Sequence, residues 1–118
     1  MNQHIPSLYN IPRHRANIDH ALECVHTTFE RGQNYSIIGN ALAEIPHAQR
    51  TGNTHALFSR CMKASRKAMA LLLHAQAIPL FHDVVSMEKW CDDTRKQAQE
   101  LSRVCDDANG YLTFVPTW

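Results

Sequence analysis

Apolar residues recur along this chain at intervals of three and four, the repeat that places side chains on one side of a helix. The pattern is densest from Thr54 to Ile78, where two rows run side by side. One holds Phe58, Met62, Ser65, Met69, Leu72 and Gln76; the other holds Leu57, Cys61, Ala64, Ala68, Leu71 and Ala75. Together they cover more than half of a helical circumference, which predicts a central helix buried on two sides. Upstream, Ile11, Ile18, Leu22, Val25 and Phe29 predict a first helix from Pro12 to Arg31. Proline suits its first position, and Gly32 offers a left-handed stop. Ile37, Ile38, Ala41, Leu42 and Ile45 predict a short second helix, opened by Ser36 and closed by Pro46.

The segment 46–53 is rich in breakers and predicts a loop, with Thr54 as the cap of the central helix and Pro79 closing it. After Asp83, a good cap, a regular seam follows: Val84, Met87, Cys91, Thr94, Ala98, Leu101, Cys105 and Ala108. It predicts a last long helix ended by Asn109-Gly110. Lys89 with Asp93, Lys96 with Glu100 and Arg103 with Asp107 are four apart on its outer face, the spacing of a solvated ion-pair ladder. Strand spacing is nearly absent. The expected fold class is therefore all-α: one domain over residues 1–118, a compact antiparallel bundle of three long helices and one short one. Residues 1–10 are expected to form a flexible arm and residues 111–118 an extended aromatic tail.

Composition changes this picture little, but charge placement adds to it. The 118 residues carry a formal net charge of only +1. Residues 1–45 balance at −1, residues 46–82 at +5 with no acid at all, and residues 83–118 at −3. Arg60, Lys63, Arg66, Lys67 and His74 fall on one sector of the central helix, giving it a basic edge. The four cysteines show no paired or metal-knuckle spacing, and three lie on apolar rows, where a free thiol behaves as a small hydrophobe. No segment is apolar and long enough to span a bilayer, and no secretory leader is legible, so a cytoplasmic protein with reduced thiols is expected.

Candidate chemistry is sparse. Ser86 and Lys89 have the spacing of a lysine-activated serine, without companion motifs or an orienting third group. His20 and Cys24, four apart, would supply two zinc ligands where a structural site needs four. Of the other histidines, His26 lies at an apolar boundary, and His4, His14, His47 and His55 lie in or near segments expected to be exposed. The run Asp106-Asp107-Ala108-Asn109-Gly110 fails as a calcium loop, because Cys105 takes the first ligand position and Pro116 the twelfth. No cofactor, metal or catalytic site is expected.

Two binding readings remain. A short second helix would leave part of the Leu57, Ala64, Ala68, Leu71, Ala75 row uncovered, free for a protein partner or a second copy of the chain. Tyr111, Phe114 and Trp118 in the tail are of the aromatic class enriched at interfaces. The leading expectation is a small non-enzymatic interaction protein, such as an inhibitor, an adaptor or an accessory factor of a mobile genetic element. The alternative is a nucleic-acid binder whose Arg60, Lys63, Arg66 and Lys67 track phosphates.

Overall fold

The computed structural model of the chain describes residues 8–112. Three long helices account for most of them: α1 (Pro12–Ala43), α2 (Gly52–Gln76) and α3 (Val84–Leu112). Short 3-10 turns, Leu8–Asn10 and His47–Gln49, precede α1 and α2. The helices pack against one another in a rod of 71 × 22 × 20 Å, and no strand occurs among the described residues. Contacts of the base of α1 with the base of α3, and of Gly39 with Cys61, show that α1 and α3 run parallel with α2 antiparallel to both. The all-α bundle is as the spacing predicts.

The helix count is not. The expected first and second helices are a single helix of 32 residues that runs through Gly32 and Gly39. Neither glycine takes a positive φ, so neither supplies a stop. Each instead marks a close approach to α2. A Cβ built on Gly32 would sit 2.6 Å from Cβ of Ala68, and one on Gly39 would sit 3.1 Å from Cβ of Cys61. The two glycines are seven apart and oppose two α2 residues that are also seven apart, so one small-residue seam brings the helices together. A glycine inside a helix costs on the order of 1 kcal/mol relative to alanine, and packing across this seam outweighs that cost.

The seam also decides which row of α2 becomes core. Leu57, Cys61, Ala64, Ala68 and Leu71 are buried between α1 and α3, with Ala75 half-buried. The expectation that this row stays partly open is overturned, because α1 continues past Gly32 and covers it. The bulkier row is the more exposed one: Phe58, Met62 and Leu72 are half-buried and Met69 is exposed. Small residues occupy the line of closest approach, and large ones fit only beside it.

Local details follow from caps. Thr51, not Thr54, caps α2, its hydroxyl accepting from Thr54 N–H at 3.2 Å. Arg50 folds back and donates to the carbonyls of Ala43 and Ile45 at the open end of α1. Asp83 caps α3 by accepting from Ser86 N–H at 2.8 Å. Asn109 and Gly110 do not end α3, which continues to Leu112. The α3 seam from Met87 to Ala108 is buried as its spacing predicts. Leu8 and Tyr9, expected in a flexible arm, pack on a second apolar cluster formed by Ile18, Ala21, Phe81, Met87 and Cys91.

Candidate interaction surface

Both neighbours of each α2 flank can be read from its contacts. On the α3 side, Arg60 donates to Asp107 at 3.0 Å and Lys67 to Glu100 at 2.6 Å. His74 stacks on Trp90 and hydrogen-bonds the Thr94 hydroxyl at 2.8 Å. That hydroxyl donates to the Trp90 carbonyl, so it accepts from His74. Arg31 of α1 reaches the same helix, at Asp106 and Ser102. The expected ladder along α3 is therefore replaced by ion pairs across helices, and three of the five residues of the basic edge are engaged inside the fold. The Lys67 hydrogen bond, with its charge, holds the Glu100 carboxyl below its ordinary range. Arg60 also lies over the Tyr111 ring, 3.9 Å from its centroid. Phe114 and Trp118 lie outside the described residues.

The opposite flank has no third helix. There Ser65 donates to Ser36 at 3.1 Å, and Phe29, Gln33 and Ser36 of α1 face Ser65 and Met69 of α2 around a hollow of about 70 Å³. One turn beyond the hollow, Ile37 extends the α1 row and Leu73 the α2 row. Met69 is 52% exposed, Leu73 57% and Ile37 66%. Leu22, Phe29, Met62 and Leu72 are half-buried at its edge. Covering one such aliphatic side chain completely is worth about 1.5–3 kcal/mol, so the half still exposed on each is worth roughly 1 kcal/mol to a partner.

Other candidate groups are placed plainly. Ser86 donates its hydroxyl to Asp83 and serves the α3 cap, not Lys89. Cys24 Sγ lies 3.9 Å from His20 Nε2 at the mouth of an α1/α3 groove of about 460 Å³, and Arg95 meets His20 Nδ1 at 3.3 Å. Among the described residues no third His, Cys, Asp or Glu joins that pair to make a metal site. His14 is buried, not exposed, while His26 is exposed, not core. Cys61, Cys91 and Cys105 are buried free thiols, each pushed up in pKa first by that burial. No described helix is long and apolar enough to cross a membrane.

The sequence-expected docking row and the observed open surface thus lie on neighbouring faces of the same helix. The signal that would have separated them is the pair Gly32 and Gly39, whose spacing of seven matches that of Cys61 and Ala68. No family model, curated protein or solved structure matches the chain, so its own geometry is what any functional reading rests on.

Proposed function

We propose that this chain is a non-enzymatic interaction protein that docks a helical protein surface on the α1/α2 flank facing away from α3. One observation carries the reading. Ile37, Met69 and Leu73 are more than half exposed on a flank that already buries the edges of Phe29, Met62 and Leu72. Apolar side chains exposed along both sides of a two-helix groove offer the kind of anchor points that an amphipathic helix uses. An inhibitor, adaptor or accessory factor would use such a surface without any catalytic group.

The nucleic-acid alternative has less support. Arg60 and Lys67 are already paired with α3 acids, which leaves Lys63 and Arg66 as the exposed cations of that set. A photo-crosslinking residue at position 73, expressed in cells beside a control at position 103, tests the proposal. The expected result is discrete protein adducts at 73 and none at 103. Equal adducts at both positions, or none at 73, would refute docking on this flank.

A further inference from the structure

Charges on this flank say what kind of surface fits it. Glu30, Gln33 and Ile37 share one outward row of α1, at intervals of three and four. Arg66, Met69 and Leu73 share one outward row of α2 with the same intervals. Gln33 and Met69 both line the small hollow, so the two rows border it symmetrically. Because the helices are antiparallel, Glu30 lies at one end of the hollow and Arg66 at the other. Both side chains are exposed, and neither has a hydrogen bond or ion pair within the described residues. The flank therefore presents one acid on α1 and one cation on α2 without partners among the described residues, with Met69 between them, Ile37 beyond Arg66 and Leu73 beyond Glu30.

We propose that the occupant is a second copy of this chain, packed flank to flank about a two-fold axis parallel to the rod, so that each α1 lies across its partner's α2. This rests on the docking reading above and names its partner. The register follows from the seam. Gly32 is level with Ala68 and Gly39 with Cys61, which sets Glu30 level with Ala70 and Arg66 level with Asn34. The two-fold preserves those levels. It brings Glu30 of each copy within four residues' rise, about 6 Å, of the partner's Arg66, a gap that two long side chains close. Leu73 then faces Phe29 across the interface, and Ile37 faces Met62. The interface is isologous, so the ion pair and each of the two apolar contacts occur twice.

The available area is sufficient. The 25 residues of α2 rise about 37 Å, and two adjacent helices are roughly 20 Å wide, which together offer on the order of 700 Å² per copy. A standard stable interface buries about 800 Å² per partner.

Sedimentation equilibrium of the full chain, from low to high micromolar, tests the proposal with Arg66→Glu, Glu30→Arg and the double variant. The wild type is expected to dimerise. Each single variant sets like charges opposite each other twice and should weaken the dimer by at least about tenfold, while the double variant restores most of it. Because neither residue has an intramolecular partner among the described residues, circular dichroism should stay unchanged in all three, and Tm should match the wild type once each protein is diluted to its monomer. A monomeric wild type, single variants that dimerise normally, or a double variant that stays monomeric would each overturn the self-pairing. If the chain is monomeric while the crosslinker at position 73 still captures a different protein, the self-pairing alone falls and the docking reading stands.

Discussion

Replacing Gly32 with alanine is the most direct test of how the bundle is held. Ignoring packing, Gly32→Ala should stabilise, since alanine in a helix interior is favoured over glycine by about 1 kcal/mol. The structure reverses the sign. The new Cβ would stand 2.6 Å from Cβ of Ala68, with Leu101 Cδ1 and the Ala64 carbonyl each 3.5 Å away. Carbon contacts relax at about 3.5–4.0 Å, so close to 1 Å of separation is needed. Neither methyl can rotate away, because both are fixed to backbone, and the helices themselves must part. Overpacking of this kind costs about 1–3 kcal/mol. Taking the upper end for two rigid partners and subtracting the propensity gain leaves a destabilisation of about 2 kcal/mol. In a domain of this size that lowers Tm by about 8 °C. Urea denaturation followed at 222 nm would read it, with Gly110→Ala as control, where nothing lies within 4 Å of the added Cβ. The control should be neutral or stabilising by up to about 1 kcal/mol. Adding Ala68→Gly to Gly32→Ala should recover part of the loss. A Gly32→Ala protein as stable as the wild type would show that the seam is looser than described.

Other perturbations separate further contacts. Thr94→Val removes the buried hydroxyl that joins His74 to the Trp90 carbonyl and should cost about 1–2 kcal/mol by chemical denaturation; no change would mean the bond contributes nothing. Asp83 is held below its ordinary carboxyl value, first by the Ser86 N–H, and Glu100 likewise, first by its hydrogen bond from Lys67. The native state therefore releases these protons more readily than the unfolded chain. Their stabilisation is present above those ordinary values and is lost as pH falls through the lower, folded ones. An Asp83→Asn, Glu100→Gln variant should show a shallower drop in Tm on acidification, and an identical acid slope would contradict the assignment. Native iodoacetamide labelling should modify Cys24 well before Cys61, Cys91 and Cys105, which are buried; mass spectrometry showing even labelling would refute that order.

Much of the fold was legible because helix formation is decided locally. The interval of three and four along Val84 to Ala108 predicts both the helix and its buried side, since a single apolar seam admits one orientation only. Proline at position 12 and aspartate at 83 mark helix starts for reasons internal to their own turns. Residues whose role depends on another helix were not legible. Gly32 has the same local meaning as a helix stop or as a contact point, and only the presence of Ala68 opposite selects the second. The open face of α2 was misplaced for the same reason: with α1 taken as broken, the small row of α2 had nothing to cover it.

The sequence by itself thus determined that the chain is helical, where α2 and α3 lie to within a few residues, and which side of α3 faces inward. These follow from backbone geometry and from the period of apolar residues. Only the tertiary structure decided that α1 is continuous and that the alanine row is core. It also set Arg60 and Lys67 against α3 acids while leaving Arg66 and Glu30 unpaired. Two rows of equal period on α2 are equivalent until a neighbour of given width arrives. The glycine face of α1 is narrow enough to bury the small row, and it leaves the large one at the surface.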